Sequence, residues 1–327
     1  MLYCNTEAIN SIAQIFDFVC RFIEYFLFFR KGTGMESVLK REGVLWDSVL
    51  CPAKINLFLE ITSRRENGYH EIDSVMQKVA LCDRLEMAFS EGEGIEITSN
   101  DKTLPTGEKN LVYKAVEGYF ARAGFRKKTE IYIDKRIPVS AGLAGGSTDA
   151  AGALKILERQ FHALKRNALA ELALSLGADV PFCLFRAQAI CQGLGEELSH
   201  CKGMPDCYLV IAKHRRESVS TKDAYQKIDS QNFTPLSSRD MADALARGSL
   251  ADVINASFNR FEELVLPTKP IASEIRRRLL ECGASHAMMS GSGPSVFGIF
   301  ESETAAKAAK EALKSLGCFV FVTHPWR

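Results

Sequence analysis

Short runs of alternating apolar and polar residues occupy the region from Trp46 to Ser99. These runs are rich in Val, Ile and Leu, and they are broken at Asn67-Gly68, at Cys82-Asp83 and between Glu91 and Gly94. Alternation with a period of two, interrupted by turn-forming residues, is typical of antiparallel strands. The pattern therefore predicts that this part of the chain builds a sheet.

Helical periodicity appears after this region and alternates with further strands. The predicted elements are a helix at 110–120, a strand at 131–134, helices at 146–159 and 167–176, and a strand at 188–191. Gly177 is expected to cap the third of these helices, with Asp179-Val180-Pro181 as a turn behind it. The first lobe is predicted to close near residue 200.

Gly203-Met204-Pro205 is the predicted linker to a second lobe. Beyond it, the pattern predicts a strand at 208–212, helices near 239–247, 250–264 and 269–281, and then a strand, a helix and a strand to the end. Two lobes suit a chain of 327 residues, and a cleft between them is the default expectation. We therefore expect an α+β protein with domains at 35–202 and 203–327.

Residues 1–34 are unlike the rest of the chain. Residues 12–29 are rich in Ile, Phe and Val, but Asp17, Arg21 and Glu24 interrupt them, so no membrane span is expected. The segment lacks the charged start and the small-residue cleavage site of a signal peptide, so it is not expected to be one. If the segment is helical, Asn10, Gln14, Asp17, Arg21 and Glu24 would form one polar stripe along it. Such an amphipathic helix could lie on a membrane or on a partner. The favoured alternative is that translation starts at Met35 or that the segment is a disordered tail, and we assign it no function.

The composition of the chain argues against several classes of function. The 41 Lys and Arg residues balance 40 Asp and Glu residues, so nothing indicates binding to nucleic acid or an anionic membrane, and any phosphate must be held locally. The ten cysteines show neither a Cys-x-x-Cys pair nor zinc-type spacing, which predicts a reduced compartment, the cytoplasm, and no structural metal. Oligomeric state stays open between a monomer and a homodimer.

A glycine-rich segment between the predicted strand at 131–134 and the predicted helix at 146–159 carries the strongest chemical signal. Its residues are Pro138, Val139, Ser140, Ala141, Gly142, Leu143, Ala144, Gly145, Gly146, Ser147 and Thr148. Small residues let backbone N–H groups approach an anion, and the first turn of the helix faces the same point, so a triphosphate could be held there. The hydroxyls of Ser147 and Thr148 could bind a phosphate oxygen or a magnesium ion. The alternative is that the segment binds nothing: Gly145 and Gly146 would only form a tight turn, and Ser147 or Thr148 would only cap the helix.

This segment is neither of the two common nucleotide loops. No Lys follows the glycines, as a Walker A loop would require, and the glycine spacing does not fit the dinucleotide fingerprint. A second glycine segment, Met289 to Ser295, reads Met-Ser-Gly-Ser-Gly-Pro-Ser. Alone it indicates a loop, but beside the first it could close over the phosphates from the other lobe.

A lysine interrupts an apolar strand near the start of the predicted sheet. Alternation would place Ala53, Ile55, Leu57 and Leu59 on one face and Lys54 and Asn56 on the other. Lys54 could be a cation near the reacting oxygens, or a charge that protects an exposed strand edge. Asp179 could be an ordinary turn residue, or a base that takes a proton from an attacking hydroxyl.

Together and in this order, the lysine strand, the glycine segment at 138–148, Gly177-Ala178-Asp179-Val180-Pro181 and the glycine segment at 289–295 resemble the GHMP kinases. The resemblance covers about residue 45 to the end. It implies a two-lobed α+β fold with a ribosomal-S5-like N-terminal lobe and a ferredoxin-like C-terminal lobe. It also implies that ATP is bound by residues 138–148, that Mg²⁺ accompanies it, and that Lys54 and Asp179 are catalytic. The loop has Ser147-Thr148 where Ser-Ser is commoner.

Within that superfamily, residues 52–59 followed by Asn67-Gly68-Tyr69-His70-Glu71 are similar to the diphosphocytidyl-methylerythritol kinases. The similarity implies a small-molecule substrate with a cytidine diphosphate group, whose base stacks on Tyr69 and bonds to His70. Thr221, Tyr225 and Asn56 are further substrate-binding candidates.

The implied reaction is phosphorylation by ATP of the 2-hydroxyl of 4-diphosphocytidyl-2-C-methyl-D-erythritol, in the non-mevalonate route to isoprenoids. Two alternatives stay open. One is another kinase of the superfamily, acting on mevalonate, phosphomevalonate or homoserine. The other is a non-catalytic binding protein on the same fold.

Overall fold

The computed structural model describes residues 38–41 and 44–327. The expectations for residues 1–34 therefore lie outside the described residues. Within the described ranges, no helix combines the length and the hydrophobicity needed to cross a bilayer.

The predicted sheet at the start of the chain is present, and it has eight strands. Their order is β1-β2-β3-β5-β4, with β6 joined to β3, β7 to β6 and β9 to β2. The strands are β1 (Val38–Arg41), β2 (Val44–Arg64), β3 (His70–Ser90), β4 (Ile95–Ser99), β5 (Lys128–Asp134), β6 (Gln188–Gln192), β7 (Glu197–Ser199) and β9 (Phe258–Asn259). The long β2 and β3 strands form an antiparallel pair that runs through this first sheet.

Strand β2 changes the face on which its apolar side chains lie. Its pairing with β3 shifts between Pro52 and Lys54 and again between Asn56 and Phe58. An extra residue on one strand reverses the alternation beyond it. Consequently Leu57 packs in the core between the two sheets, whereas Leu59 packs in the core on the helical side. The prediction that Leu59 shares a face with Ala53, Ile55 and Leu57 is wrong.

Four helices cover the outer face of the first sheet. They are α1 (Leu111–Ala123), α2 (Gly145–Phe161), α3 (Arg166–Leu176) and α4 (Asp179–Phe185). The first three agree with the predicted helices within one residue at their starts. Helix α4 corrects the prediction of a turn at Asp179-Val180-Pro181. Pro181 is tolerated there because it is the third helical residue, where no intrahelical N–H bond is needed.

The second sheet is antiparallel, with the order β10-β11-β8-β12. Its strands are β8 (Tyr208–His214), β10 (His286–Met289), β11 (Val296–Phe300) and β12 (Cys318–Thr323). The helices of this half are α5 (Thr221–Asp229), α6 (Arg239–Arg247), α7 (Leu250–Asn255), α8 (Arg260–Val265), α9 (Pro270–Glu281) and α10 (Glu303–Leu313). Helix α5 was not predicted. The single helix predicted at 250–264 is wrong, because strand β9 divides it into α7 and α8.

The chain crosses more than once between the two halves of the protein, one built on the first sheet and the other on the second. Strand β9 pairs in parallel with β2 at Phe58 and Leu59. Near the other end of the chain, Trp326 N donates to Lys78 O at 2.8 Å and Ala80 N donates to His324 O at 2.9 Å. Residues 324–326 thus add a short stretch of pairing to β3. Both contacts attach a segment from the later part of the chain to the first sheet.

Candidate active site

A cleft of about 1170 Å³ brings the predicted site residues together. All of them line it except Leu143 and Thr148, whose side chains are buried. Those lining the cleft are Lys54, Asn56, Tyr69, His70, Pro138, Val139, Ser140, Ala141, Gly142, Ala144, Gly145, Gly146, Ser147, Asp179, Thr221 and Tyr225. Segments that are far apart in the sequence therefore meet in one cavity.

The glycine segment wraps the start of helix α2. Ser140, Gly142 and Ala144 have positive φ angles of 51°, 73° and 57°, so the backbone turns sharply and then enters the helix at Gly145. No side chain caps this helix start. Unpaired N–H groups and the helix dipole favour an anion at such a point. Ser147 and Thr148 lie inside the helix, so the alternative that one of them is merely its cap is wrong.

The second glycine segment touches the first. Ser290 Oγ donates to Gly142 O at 3.0 Å, and Gly291 and Ser292 line the cleft. Asn259 holds this segment from below, because its Nδ2 donates to Met289 O at 2.8 Å and to Gly291 O at 2.9 Å. No pattern in the sequence indicated this role of Asn259.

Lys54 and Asp179 face each other beside the glycine segment. Lys54 Nζ donates to Asn56 Oδ1 at 2.8 Å and lies 3.7 Å from Asp179 Oδ2. Asn56 is fixed in turn by donating to Ser74 Oγ at 2.9 Å. The Lys54 side chain is only 5% exposed, so the alternative of a charge guarding a strand edge is wrong. Asp179 begins α4 and is 31% exposed, which leaves its carboxylate open to the cleft.

A buried ionic cluster that the sequence analysis missed holds both ends of the glycine segment. Lys135 Nζ contacts Asp83 and donates to Asp149 Oδ2 at 2.7 Å. Asp83 Oδ1 also accepts the N–H groups of Arg136 and Ile137, at 2.6 and 2.8 Å. Burial raises the pKa of the Asp149 carboxyl, against the attraction of Lys135. A lysine at the end of a strand directly before a glycine segment was the available signal.

The other end of the cleft carries aromatic rings. The His70 ring stacks on Tyr225 with centroids 4.7 Å apart and an interplanar angle of 24°. Tyr225 meets Phe261 edge to face, and burial raises the pKa of the Tyr225 hydroxyl. Tyr69 is 63% exposed, which leaves its ring open to solvent. The Thr221 hydroxyl lies 3.0 Å from Ser292 Oγ, so α5 also contacts the second glycine segment.

An apolar corner of the cleft adjoins the glycine segment. Leu104 and Leu111 line it together with Val139, which is 48% exposed. Exposed apolar side chains beside an anion-binding loop would suit a flat, largely apolar group attached to a phosphate chain. Leu104 and Leu111 were not among the predicted site residues, because single leucines near a helix start have no distinctive pattern.

Two family models match the chain. The N-terminal domain of the GHMP kinases matches residues 110–187, and the C-terminal domain of the GHMP kinases matches residues 241–317. The 4-diphosphocytidyl-2-C-methyl-D-erythritol kinase of Alkaliphilus metalliredigens is 40% identical over 81% of this chain and 91% of its own length. The enzyme of the same name from Lachnospira eligens is 41% identical over 81% of this chain and 92% of its own length. The chain belongs to the 4-diphosphocytidyl-2-C-methyl-D-erythritol kinase family.

A solved structure of a 4-(cytidine 5'-diphospho)-2C-methyl-D-erythritol kinase agrees with this membership. It superposes with a TM-score of 0.73 at 34% identity, over 85% of this chain and 99% of its own. Homoserine kinase from Cytophaga hutchinsonii superposes with a TM-score of 0.68 at 20% identity, which shows the shared fold alone. The predicted two-lobed GHMP kinase fold is confirmed.

Proposed function

We propose that this member of the 4-diphosphocytidyl-2-C-methyl-D-erythritol kinase family transfers the γ-phosphoryl group of ATP to the 2-hydroxyl of 4-diphosphocytidyl-2-C-methyl-D-erythritol. The observation that carries the proposal is the placement of Lys54 and Asp179, 3.7 Å apart, in the cleft that the glycine segment lines. Phosphoryl transfer needs positioning and charge stabilisation more than covalent chemistry, and this arrangement can supply both.

Each part of the cleft has a role in this proposal. The start of α2 and the glycine segment bind the phosphates of ATP through backbone N–H groups. Asp179 accepts the proton of the attacking hydroxyl, and Lys54 holds the reacting oxygens and offsets their charge. The apolar corner at Leu104, Leu111 and Val139 receives the adenine. The aromatic end at Tyr69, His70 and Tyr225 receives the cytosine.

Magnesium would rely on few protein ligands here. In residues 38–41 and 44–327, no group of three or more His, Cys, Asp or Glu side chains could hold a metal ion. Mg²⁺ keeps several waters and binds mainly through the phosphates of a nucleotide, so a single Ser147 hydroxyl beside the phosphates fits that habit. When bound, the ion would neutralise phosphate charge, while the proton transfer belongs to Asp179.

Replacing the base is the most direct test. Asp179→Asn should lower kcat by about a hundred- to ten-thousandfold, because the amide cannot accept the proton. The affinity for ATP, measured by titration calorimetry, should stay nearly unchanged. Asp206→Asn is the matched control, since that side chain is 96% exposed and outside the cleft, and it should leave kcat as it is. Wild-type turnover by Asp179→Asn would refute the role of the base.

The substrate is tested separately with purified protein and four acceptors: the cytidine compound, mevalonate, phosphomevalonate and homoserine. ATP consumption with the cytidine compound alone would support the proposal. Turnover with another acceptor would retain the base and overturn the cytosine pocket, and no turnover with any acceptor would favour a non-catalytic protein.

A further inference from the structure

A charged contact joins the two halves of the protein at the aromatic end of the cleft. His70 is the first residue of β3, and Asp229 is the last residue of α5. His70 Nε2 lies 2.7 Å from Asp229 Oδ1, and Arg64 lies 3.3 Å from Asp229 Oδ2. All three residues line the cleft. Asp229 was not a candidate in the sequence, where it is 159 residues from His70.

The His70 ring has little freedom to turn. One face stacks on Tyr225, whose own ring is braced edge-on by Phe261. The side chain is only 9% exposed, compared with 25% for Asp229. The hairpin before it is fixed by Arg65 N donating to Tyr69 O at 2.7 Å. With Nε2 turned to Asp229, Nδ1 is the remaining polar atom of a ring held at the cleft wall.

The carboxylate determines which ring nitrogen bears hydrogen. An ionised carboxylate only accepts hydrogen bonds, so Nε2 must donate to Asp229. In the neutral imidazole, Nδ1 then carries a lone pair and only accepts. The Arg64 guanidinium contacts the other oxygen of the same carboxylate, at 3.3 Å, and so helps to hold Asp229 in place against His70. The ring therefore presents an acceptor to the cleft.

We infer that Asp229 is a positioning residue that fixes the tautomer of His70 and thereby makes the cleft select cytosine over uracil. Cytosine carries an amino donor at N4, where uracil carries a carbonyl acceptor. An accepting Nδ1 can take a hydrogen bond from the cytosine amino group, but it faces another acceptor when the base is uracil. Two buried acceptors without a hydrogen between them are costly, so uracil is disfavoured. The inference rests on the proposed function, because it assumes that the cytosine of the substrate occupies this end of the cleft.

The tautomer can be measured in the free protein without any substrate. In ¹⁵N-histidine-labelled wild-type protein, at a pH at which the ring is neutral, we expect the His70 nitrogen shifts of a ring protonated at Nε2. Asp229→Ala removes the acceptor and should give a mixture of the two tautomers. Asp229→Asn retains an accepting oxygen and should restore part of the Nε2–H form. An unchanged tautomer in Asp229→Ala would overturn the inference.

Kinetics with a pair of acceptors then test selectivity. For the wild type, kcat/KM for the cytidine acceptor should exceed that for its uridine counterpart by about tenfold or more. In Asp229→Ala this ratio should fall toward one while KM for ATP stays constant, and Asp229→Asn should recover part of it. Asp223→Asn, on the same helix but outside the cleft, should leave the ratio as in the wild type.

The outcomes separate this inference from the function on which it rests. A wild type that turns over the cytidine acceptor, together with an Asp229→Ala ratio equal to that of the wild type, would overturn the inference and leave the kinase activity standing. Loss of the ratio without a change of tautomer would mean that Asp229 contacts the base itself, which also overturns it. A wild type inactive with both acceptors would overturn the proposed function and this inference with it.

Discussion

Two lysines on paired strands differ in how their charge is compensated. Lys54 and Lys78 are opposite each other in the pairing of β2 with β3, and both side chains are buried. Lys54 lies near the carboxylate of Asp179, whereas Lys78 Nζ donates to the main-chain oxygen of Cys183 at 2.7 Å. Burial, and to a lesser degree the charge of Lys155, lowers the pKa of Lys78 to about 7. A lysine in such surroundings favours its neutral form.

Replacing Lys78 should stabilise the protein in a pH-dependent way. Between pH 7 and about 10.5 the unfolded chain binds a proton that the folded chain does not, so stability rises with pH across this window. Below pH 7 both states are protonated and the folded state bears the full cost of burying the charge. Lys78→Met should therefore raise the free energy of unfolding by on the order of 2 kcal/mol at pH 6 and by much less near pH 10.

Urea unfolding at the two pH values measures this difference, and the exposed Lys102→Met serves as the control. An equal change for Lys78→Met at both pH values would contradict the role of its charge.

At the scale of elements, the sequence allowed prediction of what is local. The glycine segment between β5 and α2 was visible because its spacing depends on neighbouring residues. Helix α5 was missed because it buries only Ala224 and Ile228, which is too few to produce a helical pattern. The bulges of β2 were missed because the pairing with β3 produces them. The Lys135 cluster and Asp229 were missed because tertiary folding alone brings their partners together.

The contact between the two glycine segments should be sensitive to a single methyl group. A Cβ on Gly142 would lie 2.2 Å from Ser290 O and 3.2 Å from Gly293 N, which are backbone atoms that cannot rotate away. Gly142→Ala should therefore push the segments apart, raise KM for ATP by about tenfold or more and lower the Tm.

Gly124→Ala is the matched control for this change. Gly124 has a similar φ of +78° and nothing within 4 Å of its added Cβ, so it isolates the cost of the backbone angle. Steady-state kinetics and thermal unfolding of the two variants measure the contact. An equal Tm loss and an unchanged KM for both would argue against it.

At the scale of the whole molecule, a buried ion pair joins the two halves. Arg260 donates to both carboxylate oxygens of Glu60, at 2.8 and 2.6 Å, and its guanidinium lies over the rings of Phe233 and Phe258. Glu60 is fully buried on β2 and also accepts the Leu236 N–H group. The same region holds the pairing of β9 with β2. The orientation of the two halves thus depends on a few desolvated contacts.

Removing only the cation of this pair should be costly. Arg260→Met leaves Glu60 buried without a counter-charge and should lower the free energy of unfolding by about 3–5 kcal/mol. Combining it with Glu60→Gln should recover much of the loss, because no buried charge is then left alone. Arg277→Met, which breaks the surface pairs with Glu274 and Glu281, should cost less than about 1 kcal/mol. Guanidinium unfolding compares the four proteins, and a single-variant loss as small as that of Arg277→Met would refute the argument.

The pairing of residues 324–326 with β3 has a consequence for how the protein is made. Gln77 and its partner Trp326 are 249 residues apart, so this stretch of β3 reaches the solvent long before its partner has been synthesised. At roughly 5–20 residues per second, the interval is about 10–50 s. Throughout it, the backbone of the nascent chain near Val79 is an unpaired strand edge. The first sheet is therefore completed only after residues 324–326 have been synthesised, and until then that edge is open to chaperones and to other nascent chains.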